Sequence, residues 1–229
     1  SAVSARAFAP AAPSATEGDD VISMTFGGPF QIEGLGGNDD ITGSEGGDRI
    51  NGGMGDDVMA GGRGNDTYYV DTAGDQVVEA SREGFDKVYS AVDYILGVDV
   101  EHLTLTGTAQ SGQGNGLRNT IVGNQFNNAL AGGDGDDTLA GNAGDDELRG
   151  GGGGDGYVYE AGDGNDIIID APGDAGEDVI VLAGNYLQDD VAFYRDPNAM
   201  DDLILRFAGG GSITVRDHFN GSAIETVEF

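Results

Sequence analysis

The chain contains no cysteine and no tryptophan, and of its 229 residues only ten are Lys or Arg and two are His. Without thiols there is no disulfide framework, no thiolate nucleophile and no cysteine metal site. No apolar run approaches the ~20 residues that a membrane-spanning helix needs, so no membrane span is expected. Ten basic residues against 41 acidic ones leave a formal net charge of −31, which argues against nucleic acid as a partner. Catalytic signatures are missing too: there is no Gly-x-Ser-x-Gly elbow, no His-Glu-x-x-His and no Gly-Lys-Ser/Thr phosphate loop. His102, in VEHLTL, and His218, beside Phe219, read as structural or surface residues. Carboxylates are so abundant that a pair suited to glycoside hydrolysis could be drawn almost anywhere, so no such pair is informative. The chain is not read as an enzyme.

What the chain has is glycine, 43 residues of it, in register with aspartate. GLGGNDDIT (34–42), GSEGGDRIN (43–51), GGMGDDVMA (52–60) and GGRGNDTYY (61–69) follow one another without a break. Each carries Gly in slots one and four, Asp in slot six and an apolar residue in slot eight. The rhythm returns in GGDGDDTLA (132–140), GNAGDDELR (141–149) and GGGGGDGYV (150–158). Before them GNGLRNTIV (114–122) and GNQFNNALA (123–131) put Asn119 and Asn128 in the Asp slot, an arrangement expected to stack without charge. Glycine lets the first six residues turn tightly, and the last three form a short strand with one inward side chain. Stacked turns then bring one carboxylate per turn close together, which is untenable without a cation between them. A flexible acidic linker has no reason to space Ile41, Ile50, Met59 and Tyr68, or Leu130, Leu139, Leu148 and Tyr157, nine apart.

These nonapeptides resemble the repeats-in-toxin (RTX) family of secreted bacterial proteins. The resemblance implies an all-β fold, a parallel β-roll in which two nonapeptides complete one coil and turns two repeats apart share a Ca²⁺. It pairs Asp39 with Asp57, Asp48 with Asp66, and Asp137 with Asp155. Carbonyls would complete each set: Leu35 and Gly37 with Gly52 and Met54; Ser44 and Gly46 with Gly61 and Arg63; Gly133 and Gly135 with Gly150 and Gly152. Asp146, and Asp166 in a looser copy, hold the same slot and join the candidate ligands. Other loose copies place Gly74, Gly84, Gly164 and Gly176 in the fourth slot and Asp86 and Asp178 in the sixth.

The donor chemistry selects the ion. Carboxylates and carbonyls are hard oxygen donors, and neither histidine lies in a repeat slot, so thiolate- or imidazole-preferring metals have no dedicated site. Ca²⁺ accepts six to eight oxygens in flexible geometry, whereas Mg²⁺ wants a tight octahedron and keeps its waters. About eight Ca²⁺, one for each recognisable Asp turn, would roughly halve the net charge of −31. A chain this acidic and glycine-rich is expected to be largely disordered until calcium is supplied.

Four segments follow from the pattern: an Ala/Pro-rich linker at 1–15, a first tract with a strand-rich connector at 16–113, a second tract at 114–182, and a C-terminal cap at 183–229. In the cap, LILRF (203–207) and ITVR (213–216) read as a β-hairpin, with Phe193, Tyr194, Phe207, Phe219 and Phe229 expected in a small core. Residues 98–119 also resemble the connector between RTX tracts, and 183–229 the tail that follows them. The resemblance implies a secreted, extracellular or cell-surface protein exported by type I secretion machinery, and the linker suggests an upstream domain of the same polypeptide. Two other readings stay open: the calcium-binding C-terminal part of a secreted hydrolase or lyase-like enzyme, and an adhesin or surface-layer module that binds a glycan or a cell surface.

Overall fold

The structure, a computed structural model, describes residues 15–24, 27–170, 176–184, 186–220 and 224–229. Except for Ala15, the segment expected to be a linker lies outside the described residues. The chain divides into two compact units, Ser1–Asp86 and Lys87–Phe229. Each is a parallel β-solenoid.

The first unit contains β1 (Val21–Ser23), β2 (Gln31–Glu33), β3 (Asp40–Thr42), β4 (Arg49–Asn51), β5 (Val58–Ala60), β6 (Thr67–Val70) and β7 (Gln76–Val77). Successive strands alternate between two parallel sheets, so the chain completes a coil every two strands. One sheet aligns Ile22, Ile41, Met59 and Val77, and the other Ile32, Ile50 and Tyr68. All seven are buried, while their strand neighbours face outward or sit at the margin. A three-residue strand offers one inward side chain, and each one buried contributes ~1.5–3 kcal/mol. Slot eight therefore builds the centre of this unit's core, with Met24, Phe30 and Val70 buried beside it.

The glycines of slots one and two answer different constraints. A Cβ on Gly52 would land on the carboxylate of its own Asp57, so slot one must stay bare. Slot two is left-handed in most turns, with φ 92° at Gly53 and 118° at Gly133. Leu35 (φ 77°) and Asn142 (φ 62°) hold the same conformation without glycine's freedom, at a cost of ~1–2 kcal/mol each.

The second unit is coiled in the same way by β8 (Lys87–Ser90), β9 (Tyr94–Ile95), β10 (His102–Leu105), β11 (Ser111–Gln113), β12 (Thr120–Val122), β13 (Ala129–Asp134), β14 (Thr138–Ala140), β15 (Glu147–Gly152), β16 (Gly156–Tyr159), β17 (Asn165–Ile168) and β18 (Asp178–Leu182). Val88, Leu103, Ile121, Leu139, Tyr157 and Ile180 align in one sheet, and Leu130, Leu148 and Ile168 in the other. The connector thus stacks as coils of the solenoid, because Leu103 keeps the inward apolar slot although the Gly/Asp turn before it is gone. Beyond them lie β19 (Val191–Arg195), β20 (Leu203–Phe207), β21 (Ser212–Val215) and β22 (Ile224–Glu228). The first three are antiparallel, β21 then pairs parallel with β17, and β22 pairs parallel with β18.

The core of this last segment differs from the expected aromatic cluster. Of the five aromatics only Phe207 is buried, stacked on Tyr159 with ring centroids 4.5 Å apart. Phe193, Tyr194, Phe219 and Phe229 are exposed, and the interior is built by Leu205, Ile213, Val215 and Ile224 instead. β19 is an outer strand, so beyond the buried Val191 its side chains lie in the open, where Arg206 covers the Tyr194 ring and Arg195 the Phe219 ring.

Both sheets of the second unit meet this segment at β17 and β18, so its removal uncovers two open edges. A chain ending at Ala183 should need more calcium to fold and should aggregate as concentration rises. Circular dichroism and light scattering check this. Equal calcium midpoints and a monomeric truncated chain would refute the capping role.

Candidate metal sites

The slot-six aspartates are buried in rows. Their Oδ1 atoms accept hydrogen bonds from the backbone N–H of the matching residue one coil earlier. Asp39 N–H donates to Asp57 (2.8 Å), Asp48 N–H to Asp66 (2.6 Å), Asp137 N–H to Asp155 (2.8 Å) and Asp146 N–H to Asp166 (3.0 Å). The turn brings Asp39 and Asp57 together, as it does Asp48 with Asp66 and Asp137 with Asp155. The second oxygen is the informative one. Oδ2 of Asp39, Asp57, Asp66, Asp137 and Asp146 is buried with no hydrogen-bond partner, although an unpaired buried carboxylate oxygen is costly. The ion pairs Arg118–Asp136 and Arg149–Glu147 lie on the exposed surface, and of these two arginines only Arg118 acts on a row, as a minor influence at Asp137.

Backbone carbonyls crowd the same space. A Cβ on Gly34 would meet both Asp39 Oδ2 and the Gly52 carbonyl, and one on Gly132 both Asp137 Oδ2 and the Gly150 carbonyl (2.6 Å). Carbonyls of Leu35, Gly37, Ser44, Gly133 and Gly135 each face a glycine of the next coil, respectively Gly53, Gly55, Gly62, Gly151 and Gly153. Leu35 O also accepts from Met54 N–H (3.0 Å), Met54 O from Gly37 N–H (2.9 Å) and Gly152 O from Gly135 N–H (2.6 Å), so each keeps one lone pair. The side chains of Leu35, Met54 and Arg63 point to solvent, which is why their identity is free. Gly46 packs against the Gly64 turn. Orphaned carboxylate oxygens facing carbonyl oxygens across a glycine cradle fit a hard divalent cation.

Residues 33–68 and 122–157 match the family described as "RTX calcium-binding nonapeptide repeat (4 copies)". Those two segments are RTX repeats. No curated protein matches it. Thirty-one chains of solved structures do. One is the crystal structure of the extracellular lipase LipA from Serratia marcescens, 17% identical, with a TM-score of 0.29 over 94% of this chain and 39% of the lipase chain. The described residues include no helix long and apolar enough to cross a membrane.

The RTX turns are of two kinds. In GSEGGDRIN the turn closes on itself: Ser44 N–H donates to Asp48 Oδ2 (2.6 Å), so both Asp48 oxygens are engaged. The asparagine turns close the same way, Asn115 N–H onto Asn119 Oδ1 and Asn124 N–H onto Asn128 Oδ1 (both 2.7 Å). Their Nδ2 groups then donate to carbonyls of the preceding coil, Asn119 to Val100 (3.0 Å) and Asn128 to Ala109 (3.2 Å). An amide supplies the donor that a carboxylate lacks. Two acids escaped the sequence reading: Glu79 and Asp170 fall outside the nine-residue register, and they accept from the buried hydroxyls of Tyr68 and Tyr157. The phenol in slot eight was the available signal, because a buried hydroxyl needs a partner.

Burial, reinforced by neighbouring carboxylates, pushes Asp57 and Asp146 up to about 6 and Asp66, Asp137 and Asp166 up to about 7. Acids raised in the fold bind more protons there than in the unfolded chain, so the cation-free coils are most stable below the ordinary carboxylate range. They lose that stability as pH rises through about 6 to 7. In chelator, the β signal should therefore be stronger at pH 5 than at pH 8. With calcium, the midpoint concentration should rise as pH falls from 8 to 6, because protons and Ca²⁺ compete for the same oxygens. A pH-independent midpoint in circular dichroism would exclude that competition.

The two kinds of turn should also differ in calorimetric titration. Asp57→Asn should lower the stoichiometry by about one ion and raise the calcium midpoint severalfold, whereas Asp48→Asn, in the self-closed turn, should have a smaller effect. Equal losses from both would show that turn closure does not distinguish them.

Proposed function

We propose that this chain is a calcium-folded module of a secreted bacterial protein. At low calcium its coils repel themselves and stay disordered, and at extracellular calcium they fold, which suits export as an unfolded chain through type I machinery. The unpartnered Oδ2 atoms of Asp39, Asp57, Asp66, Asp137 and Asp146 carry this reading, since among the described residues no basic side chain hydrogen-bonds to them, whereas a bound cation would satisfy them. Asp48, Asp155 and Asp166 extend the rows, with carbonyls of Leu35, Gly37, Gly52, Met54, Gly61, Gly133, Gly135 and Gly150 as further oxygen donors. Bound calcium supplies positive charge between coils; the chain supplies the oxygen cage and excludes water from it. Residues 16–113 and 114–182 form the two calcium-dependent tracts and 183–229 the cap. The function is binding and folding, without catalysis; about eight ions are expected, and an upstream domain of the same polypeptide would carry any further activity.

Millimolar Ca²⁺ added to chelated protein should convert a coil-like far-UV spectrum to a β-rich one and raise the melting temperature, whereas equal Mg²⁺ should do neither. A chelated chain with the full β signal and a melting temperature indifferent to calcium would sink the proposal.

A further inference from the structure

Glu79 and Asp170, which the nonapeptide register does not account for, occupy matching places in the two units. In each tract the final repeat carries tyrosine in slot eight where the earlier repeats carry an aliphatic residue. Tyr68 is fully buried; its hydroxyl accepts from Gly61 N–H (2.6 Å) and donates to Glu79 Oε1. The Tyr157 hydroxyl accepts from Gly150 N–H (3.0 Å) and donates to Asp170 Oδ1 (2.8 Å). Carboxylate oxygens of Asp66, Glu79 and Asp86 lie within 4.8 Å of one another, all three residues buried, and Asp155, Asp170 and Asp178 form the corresponding group. In the first group, Asp66 Oδ2 and Glu79 Oε2 are sealed from solvent and have no hydrogen-bond partner, with Asp66 1% and Glu79 8% exposed. The tyrosine thus fixes one oxygen of Glu79 and leaves the other facing the cluster.

We propose that Asp66, Glu79 and Asp86 form a calcium site that closes the first tract, with Glu79 as a ligand from outside the repeats and Tyr68 as the residue that positions it. The site differs from those between repeats. There the donors are slot-six aspartates and turn carbonyls, whereas here a third carboxylate arrives from the chain that leaves the tract. Three buried carboxylates at this separation repel one another, and a divalent cation bound by oxygen alone relieves the repulsion while accepting an irregular donor set. The tract would then end where its last turn borrows a ligand from the exit segment, which couples the order of residues 76–86 to calcium. Tyr157 and Asp170 hold the equivalent places in the second tract. The inference rests on the calcium-binding reading above.

The test uses the full chain. Glu79→Gln keeps the side-chain shape and an acceptor for the Tyr68 hydroxyl but removes one charge; Glu45→Gln, an exposed acid, is the control. Calorimetric titration with CaCl₂ should find about one ion fewer for Glu79→Gln and no loss for Glu45→Gln. Terbium gives a second readout, because tyrosine sensitises its emission only at close range. The calcium-competed emission that Tyr68→Phe removes should also be lost in Glu79→Gln. Tyr68→Phe preserves the packed ring, so its calcium midpoint should rise severalfold with an unchanged β signal at saturation. Unchanged stoichiometry and emission in Glu79→Gln overturn the site and leave the repeat reading standing. So does a Glu79→Gln chain that is more stable than wild type in chelator yet identical to it in calcium, since a proton would then neutralise the cluster. If the wild-type chain shows no calcium-dependent folding, the repeat reading itself falls.

Discussion

Each slot-six aspartate uses one carboxylate oxygen to accept the amide of the coil before it. Asp57 Oδ1 takes Asp39 N–H at 2.8 Å and Asp155 Oδ1 takes Asp137 N–H at 2.8 Å. A charge-assisted bond of this kind contributes ~1.5–3 kcal/mol and sets the carboxylate's lateral position, so register passes from coil to coil. The same bond commits the charge to the interior, where its desolvation costs several kcal/mol. One hydrogen bond does not offset that cost, and the raised affinity of Asp57, Asp66 and Asp137 for protons expresses the remainder. A bound cation, or a proton, would offset that cost. The interaction that aligns the coils also makes their folding conditional.

The asparagine turns show the same frame without that condition. Asn119 N–H still donates to Asp137 Oδ1, so the row is continuous, but its amide side chain carries both an acceptor for Asn115 N–H and a donor for the Val100 carbonyl. Nothing is left unpaired and no charge is buried. Asp48 stands between the two: its turn closes like an asparagine turn, yet it carries the charge of an aspartate turn. The second unit therefore contains turns that bury no carboxylate of their own, and the aspartate coils stack directly on them. In a solenoid, where each coil contacts its neighbours, such coils offer a ready surface for the conditional ones.

The core was legible in the sequence because a three-residue strand has one inward position, and a period of nine names it from Ile41 to Tyr68 and from Leu130 to Tyr157. The aspartate slot was legible for the same reason. What escaped depends on atoms that periodicity does not encode. A slot code cannot show that Oδ1 serves an amide while Oδ2 stays free, or that Ser44 turns its amide onto Asp48. Glu79 lies eleven residues beyond Tyr68 and Asp170 thirteen beyond Tyr157, so only the hydroxyl they share a bond with ties them to the repeats. The aromatics of residues 183–229 misled for a simpler reason. Away from the core an aromatic finds an arginine beside it as readily as a packed interior, as Tyr194 on the outer strand and Phe219 in the turn at 218–220 did.

The end of the second unit obeys the same constraint as its middle. A parallel solenoid stops with two open strand edges and with the last amide of each aspartate row lacking an acceptor. Residues beyond Leu182 meet both needs. β21 covers β17 and β22 covers β18, while Glu225 Oε2 accepts Asp178 N–H at 2.7 Å. The row that runs from Asn119 through Asp137, Asp155 and Asp178 thus closes on a glutamate outside the repeat, whose longer side chain reaches an amide that no further turn supplies. Thr226 adds a bond to Glu177 at 2.7 Å. Closing the edge and closing the row fall to one strand, because in a stack built by handing amides from coil to coil the edge and the row end at the same place.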